Sequence, residues 1–116
     1  MEGTDDLAVW HDTLTEEQHD ALAARVEMLE QYGPSLKRPM VGEILSSRYA
    51  PLMKELRVSK EGQLRVLFVF DPRRTAILLL GGNKTGRWQE WYRMAIPEAD
   101  RLYEEYLEEL HTEGLI

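Results

Sequence analysis

Basic side chains recur through the middle of this chain, at positions where they could act together on a phosphate group. In chain order they are Lys54, Arg57, Arg65, Arg73, Arg74 and Lys84. Arginine binds phosphate through two parallel N–H donors, and lysine adds a compact positive charge. Glu55 or Asp71 could pair with one of the arginines, but two acids cannot neutralise all of these bases. The surplus of positive charge favours a phosphate site.

Charge is distributed along the 116 residues in three blocks. Residues 1–33 carry a balance of −8, residues 34–93 a balance of +7, and residues 94–116 a balance of −6. The net charge of −7 would by itself argue against a nucleic-acid partner. The basic middle is nevertheless a candidate surface for a polyanion. The alternative is that acidic helices pack beside a basic sheet and simply complement its charge.

Length and composition exclude several classes of protein. A chain of 116 residues is typical of one domain, which we place at residues 1–116. The absence of cysteine excludes a disulfide scaffold and a thiolate metal site. No apolar run reaches the length of a membrane span, and the acidic N-terminal segment is unlike a secretory signal. We therefore expect a cytoplasmic protein without a membrane partner.

Other catalytic motifs are excluded because the sequence lacks the residue types that they require. Gly81 and Gly86 have the spacing of a P-loop, but Arg87 and Trp88 stand where that motif requires Lys and then Ser or Thr. The three histidines lie in the acidic end segments without the HEXXH spacing of a zinc site. The sequence contains neither a Gly-x-Ser-x-Gly elbow nor a cysteine nucleophile. We expect no metal ion and no cofactor.

Aromatic residues are concentrated at residues 88–92, which contain Trp88, Trp91 and Tyr92. At least one tryptophan is expected to pack in the core. An aromatic ring beside a basic surface could instead stack on an RNA base. Tyr92 could also act as a hydrogen-bond donor or a proton-transfer group.

The N-terminal third has the signals of two helices. Thr4 is placed to cap a helix over residues 5–13. Thr15 and Gln18 form a capping-box pattern that begins a second helix. Gly33 and Pro34 end it, because glycine adopts the left-handed cap and proline cannot continue a helix.

The middle third changes to the period of strands. We predict strands at residues 52–58, 63–70 and 75–80, the last ended by Gly81, Gly82 and Asn83. Residues 35–51 are predicted as a loop, with at most a short helix at 41–45. Alternation places Arg57 and Arg65 on one face of the sheet.

The C-terminal third is again helical. A short helix is predicted at residues 86–95, and Pro97 suits the first position of a final helix. The order of elements predicts an α+β fold whose N-terminal and C-terminal helices gather against one face of a small antiparallel sheet of three to four strands.

Several motifs in fixed order resemble the phage-derived, HigB-like branch of the RelE/ParE toxin superfamily. They are LMKELR (52–57), RVLFVFDPRR (65–74), GGNK (81–84) and WQEWY (88–92), with GPSL (33–36) and IPEAD (96–100) beside them. The resemblance covers roughly residues 10–110. It implies a RelE-like fold and the toxin of a type II toxin–antitoxin pair.

The resemblance also implies an activity and partners. Characterised relatives are metal-independent endoribonucleases that cut mRNA on the ribosome by attack of a ribose 2′-hydroxyl. A HigA-like helix-turn-helix antitoxin silences such a toxin and links it to DNA only indirectly. Two alternatives remain: a non-catalytic protein-binding module of the same fold, and a ParE-like gyrase inhibitor.

Carried onto this sequence, the resemblance assigns residues to an RNA site. Arg57, Arg65, Lys84 and Tyr92 are the catalytic candidates, and Lys54, Arg73, Arg74 and Trp88 are the RNA-binding candidates. Negative charge builds on the phosphoryl oxygens during such a cleavage, and fixed cations stabilise it. The candidates for proton transfer are Tyr92, Glu55, Asp71 or a lysine of lowered pKa.

The sequence departs from the family pattern in two places. Relatives usually open with a strand, whereas this chain reaches the helix signal at Asp5 almost at once. We therefore expect a sheet that is one strand short or has an unprotected edge, and a truncated or re-annotated N-terminus. Thr85 stands where relatives often carry another base, which predicts weaker catalysis.

Overall fold

A computed structural model describes residues 2–116 and contains three helices and five strands within them. In chain order the elements are β1 (Glu2–Gly3), α1 (Asp5–His11), α2 (Glu16–Tyr32), a 3₁₀ turn (Gly33–Ser35), β2 (Val41–Glu43), β3 (Lys54–Ser59), β4 (Gln63–Phe70), β5 (Ala76–Asn83) and α3 (Trp88–Thr112). The α+β class predicted from the sequence is confirmed.

The five strands form one sheet in the order β1-β5-β4-β3-β2. The pairs β2–β3, β3–β4 and β4–β5 are antiparallel, while β1 runs parallel to β5. The sheet is therefore mixed and larger than the three to four antiparallel strands predicted. Two residues of β1 supply the strand before the helices whose absence we expected.

Helices cover both faces of the sheet, so the prediction that they gather on one face is wrong. Leu64, Val66 and Phe68 of β4 pack with residues of α2, whereas Leu67 and Val69 pack with residues of α3. All residues from Leu64 to Val69 are buried. A strand that is apolar on both sides needs a layer on each side to bury it.

The two N-terminal helices begin where the sequence places them. Thr4 accepts a hydrogen bond from the backbone N–H of Leu7 at 3.1 Å. Thr15 and Gln18 form the predicted capping box, each side chain accepting from the other residue's backbone N–H. These caps satisfy amide groups that would otherwise lack a partner in the first turn.

Strand β5 continues through Gly81 and Gly82, where the sequence analysis predicted its end. A Cβ atom at Gly81 would lie 2.2 Å from the Trp10 ring, and one at Gly82 would lie 2.0 Å from Trp91 Nε1. The glycines therefore let one tryptophan pack on each face of the strand. Trp91 is buried, which confirms that one tryptophan belongs to the core.

Two further local predictions are wrong. Residues 41–43 form strand β2 rather than a short helix, because they pair with Lys54–Leu56 of β3. Helix α3 is continuous from Trp88 to Thr112 and contains Pro97, instead of breaking before it. Pro97 and Arg93 are both exposed, so solvent can satisfy the Arg93 carbonyl that proline leaves without an amide donor.

Candidate functional site

Arg57 of β3 and Arg65 of β4 lie directly opposite each other in the sheet, on the face covered by α3. The shared face predicted from alternation is confirmed. Like charges facing each other across two strands repel, so this pair needs a compensating group. The Arg65 side chain is only 8% exposed and that of Arg57 is 30% exposed, which makes the need stronger.

Glu55 is the compensating group, two residues before Arg57 on the same face of β3. Its Oε2 lies 3.6 Å from Nη2 of Arg57, and its Oε1 lies 3.4 Å from Nε of Arg65. The Glu55 side chain is 4% exposed. One buried carboxylate thus neutralises part of the charge of two guanidinium groups.

Tyr92 reaches the same carboxylate from α3. Its hydroxyl donates to both Glu55 oxygens, at 2.9 Å to Oε2. The preceding residue, Trp91, sits on Gly82 and fixes the start of α3 against β5. Packing of one aromatic residue therefore sets the position of the next.

Lys84 completes the group from the loop after β5. Its backbone N–H donates to the Gln63 carbonyl at 3.0 Å, and its Nζ lies 5.3 Å from the centre of the Tyr92 ring. That distance is within the range of a cation–π contact. We call Glu55, Arg57, Arg65, Lys84 and Tyr92 the arginine cluster.

Two pKa values in the arginine cluster are shifted by burial and charge. Burial raises the pKa of Tyr92 to about 12, and its hydrogen bond to Glu55 acts in the same direction. Burial lowers the pKa of Lys84, as do the charges of Arg65 and Arg57, against an opposing effect of Glu55. Tyr92 is accordingly a hydrogen-bond donor at neutral pH, and Lys84 gives up its proton more readily than an ordinary lysine.

The sequence profile of the family described as phage derived protein Gp49-like (DUF891) matches residues 9–104. This chain belongs to that family.

Two relatives of this Gp49-like chain come from Mycobacterium tuberculosis (strain ATCC 25618 / H37Rv). The chain is 42% identical over 103 residues to the protein named "Putative toxin HigB2", covering 87% of the chain but 51% of that protein. It is 41% identical over 105 residues to the protein named "Putative toxin HigB3", covering 90% of each. The chain thus spans about half the length of one relative and most of the other, and the predicted HigB-like resemblance is confirmed.

Arg73 and Arg74 of the Gp49-like chain lie at the other end of the β4–β5 pair, beyond Phe70. Phe70 follows Arg65 by five positions along the strand, or about 17 Å at ~3.4 Å per residue. Arg73 pairs there with Asp71 at 2.9 Å and with Glu2 at 2.7 Å. We call Glu2, Asp71, Arg73 and Tyr106 the turn cluster. Its distance from Arg65 places Asp71 out of reach of the arginine cluster.

Lys54 and Trp88 are placed differently again. Lys54 precedes Glu55 on β3, so its side chain leaves the opposite face of the sheet, beside a cavity also lined by Lys37 and Arg38. Trp88 is the first residue of α3 and is 56% exposed, close in sequence to Lys84. The fold therefore joins the four catalytic candidates and separates Lys54, Arg73 and Arg74 from them.

Sequence reasoning missed the contribution of Arg25. It is the one base in the acidic N-terminal block, so the count of charge by segment concealed it. In the structure its Nη1 donates to the backbone carbonyl of Arg57 at 2.8 Å. Its position on α2, one turn from the buried Leu22 and Leu29, is the signal that could have directed attention to it.

Among residues 2–116, no group of three or more His, Asp or Glu side chains could hold a metal ion. No helix in this range combines the length and apolar character needed to cross a membrane. His11 and His19 stack on each other at 4.3 Å between α1 and α2, on the opposite face of the sheet from α3.

Proposed function

We propose that this protein, acting as one domain over residues 1–116, is the toxin of a type II toxin–antitoxin pair. Its activity is cleavage of mRNA on the ribosome, in the cytoplasm and without a metal ion. The names of its two relatives support the toxin assignment. Support for RNA cleavage comes from the arginine cluster.

The observation that carries the proposal is the excess of positive charge in that cluster. Arg57 and Arg65 share a single carboxylate, Glu55, which is itself hydrogen-bonded to Tyr92, and Lys84 adds a third positive charge 5.3 Å from the centre of the Tyr92 ring. Such a group of cations is costly to hold together unless an anion binds there. A phosphodiester carries the charge and the oxygen acceptors that these donors require.

Each residue has a role in attack of the 2′-hydroxyl on the adjacent phosphate. Lys84, with its lowered pKa, accepts the 2′-hydroxyl proton as the new bond to phosphorus forms. Arg57 and Arg65 stabilise the charge that builds on the phosphoryl oxygens. Tyr92, which stays protonated, donates to the 5′-oxygen as the bond to it breaks. The products are a 2′,3′-cyclic phosphate and a 5′-hydroxyl.

The partners follow from this assignment. The RNA substrate is mRNA presented by the ribosome, and Trp88, which is exposed, would stack on one of its bases. A HigA-like helix-turn-helix antitoxin would hold the toxin inactive and provide the indirect contact with operator DNA.

One observation favours a second candidate, a non-catalytic binding module of the same fold. Glu55 already occupies the position that a phosphate would take between Arg57 and Arg65. A cluster neutralised in this way could serve only to stabilise the sheet. The two candidates differ in whether the arginines bind RNA.

Induction of the protein in a bacterial host distinguishes these functions. We expect growth arrest and shortened transcripts, both relieved by Arg57→Ala or Arg65→Ala. Folded protein that leaves growth and transcripts unchanged supports the binding module. Growth arrest with intact mRNA and DNA-damage signalling supports a gyrase inhibitor. Co-purification of the product of the adjacent gene tests the antitoxin.

A further inference from the structure

Strand β3 has an open edge beyond the end of β2. Strand β2 pairs only with Lys54–Leu56, so the edge of β3 from Arg57 onwards is free of a strand partner among residues 2–116. The Arg57 N–H instead donates to the Met40 carbonyl at 2.8 Å, and the Arg57 carbonyl accepts from Arg25 at 2.8 Å. Both backbone groups of Arg57 at this edge are thus satisfied without a neighbouring strand.

A cavity of about 370 Å³ lies at this open edge, and we call it the edge cavity. Its lining consists of Arg25, Pro39, Met40, Arg57, Ser59 and Arg65. Three of these six residues are arginines, and none is an acid. The nearest carboxylate in the arginine cluster, Glu55, is already engaged by Tyr92, Arg57 and Arg65.

Two nitrogen atoms in this lining are buried without a hydrogen bond. Nε of Arg57 and Nε of Arg65 have no hydrogen-bond partner within residues 2–116. Arg65 as a whole is 7% exposed, so its donor is deep in the protein. A buried donor left unsatisfied is costly, more so when it is charged. Nε of Arg65 faces Oε1 of Glu55 at 3.4 Å without forming a hydrogen bond, so a bound anion would supply the acceptor that these two donors lack.

Arg25 adds a third guanidinium group from another element. It lies on α2, and its hydrogen bond to the Arg57 carbonyl holds it in the lining of the same cavity. One of its nitrogen atoms is used in that bond, which leaves the rest of its fork for a ligand. The edge cavity thus combines two buried donors with the positive charge of Arg25.

We propose that the edge cavity is a phosphate subsite for single-stranded RNA, and that Arg25 is one of its binding residues. It takes a phosphate next to the scissile one, so the RNA strand enters the arginine cluster from the open edge of β3. This inference rests on the proposed function, since it extends the same surface by one nucleotide.

The test compares Arg25→Gln with the wild-type protein in binding a short single-stranded RNA whose 2′-hydroxyls are methylated to prevent cleavage. Glutamine keeps an N–H donor for the Arg57 carbonyl but removes the charge. We expect about tenfold weaker binding at low salt, as for loss of a charge-assisted contact. The logarithm of the RNA-binding constant falls linearly with the logarithm of the salt concentration. The slope of this line should become shallower by about 0.7, the value for one phosphate contact on a single strand.

Arg101→Gln is the matched control, because it removes the same charge from an exposed pair with Glu98 and Glu105 on α3. It should bind RNA like the wild type. Arg25→Lys keeps the charge and should retain the wild-type salt slope. Arg25→Gln could lower the melting temperature and weaken RNA binding through loss of structure. In that case a wild-type salt slope in Arg25→Lys shows that the charge of Arg25 is what binds the RNA.

A second measurement separates the inference from the proposed function. Inorganic phosphate should shift the Nε–H NMR signals of Arg57 and Arg65, and less so in Arg25→Gln. If wild type and Arg25→Gln bind RNA with the same affinity and slope, the subsite is wrong even where cleavage is observed. If phosphate shifts the signals but RNA neither binds nor is cleaved, the anion site stands and the RNA function is wrong.

Discussion

The arginine cluster and the turn cluster are built from the same residue types at opposite ends of the β4–β5 pair. Each contains a buried carboxylate, an arginine and a tyrosine of raised pKa, about 12 for both Tyr92 and Tyr106. In the turn cluster, Arg73 is shared by two carboxylates, Glu2 and Asp71. In the arginine cluster, Glu55 is shared by two arginines.

The two clusters also differ in how many of their polar groups form hydrogen bonds. Asp71 accepts from the backbone N–H groups of Arg73 and Thr75 at 2.8 and 2.9 Å, so it fixes the β4–β5 turn. Its arginine donates through Nε as well. In the arginine cluster, by contrast, Nε of both Arg57 and Arg65 lacks a hydrogen-bond partner within residues 2–116. The turn cluster is complete in itself, whereas the arginine cluster has donors left over for an anion that competes with Glu55.

The largest expected effect is on mRNA cleavage, which should depend on the arginine cluster and not on the turn cluster. Arg65→Gln should reduce mRNA cleavage by about 1,000-fold, because it removes a donor to the transition-state charge. Arg73→Gln should change the cleavage rate of the folded protein less than about twofold, because Arg73 lies in the turn cluster and shares no partner with the arginine cluster. A single-turnover assay on programmed ribosomes measures both. Equal losses in the two variants would contradict the comparison.

Lys84→Arg tests the lowered pKa of Lys84. Arginine keeps the charge but cannot take up a proton, so cleavage should fall by about 100-fold, the range of general-base catalysis. The unprotonated lysine is the active form, so the wild-type rate should rise with pH and level off before pH 10.5, the ordinary lysine pKa. The Lys84→Arg rate should not rise in this way. Full activity in Lys84→Arg would limit Lys84 to an electrostatic role.

Glu55→Gln removes the negative charge that Arg57 and Arg65 share. Removing the only carboxylate of a buried group should lower the free energy of unfolding by about 3 kcal/mol. It should also tighten RNA binding several-fold, because the internal competitor of the phosphate loses its charge. Urea unfolding and fluorescence anisotropy measure the two effects. Asp71→Asn is the matched variant in the turn cluster. It should lower the free energy of unfolding and leave RNA affinity unchanged. Tighter RNA binding by Asp71→Asn would contradict the difference between the two clusters.

The smallest effect is on alkaline titration. The raised pKa of Tyr92 means that the folded state holds this proton more tightly than the unfolded state. Stability is therefore full below about pH 10 and falls as pH rises toward 12. Tyr92→Phe should remove one tyrosine that ionises near pH 12 in absorbance at 295 nm. A titration curve without that loss would contradict the burial of Tyr92 against Glu55.

Local signals predicted much of this fold. The alternation in β3 and β4 placed Arg57 and Arg65 together, and Thr4 and Thr15 marked the starts of α1 and α2. These features depend on residues close in sequence. Strand β2 escaped prediction because three residues are too few to show a period.

The errors arose from contacts between distant residues. Gly81 and Gly82 have the composition of a strand end, yet Trp10 and Trp91 require them inside β5. The sequence also could not show that Glu55, rather than Asp71, is shared by Arg57 and Arg65. Likewise the role of Arg25 depends on where α2 crosses the edge of β3.

The most direct test of the central claim is the chemistry of the RNA ends. Wild-type protein, defined mRNA and purified ribosomes should give upstream fragments with a 2′,3′-cyclic phosphate and downstream fragments with a 5′-hydroxyl. Arg65→Gln, folded as judged by its melting curve, should give almost none. Intact mRNA, or fragments with 5′-phosphate ends, would contradict cleavage by 2′-hydroxyl attack at the arginine cluster.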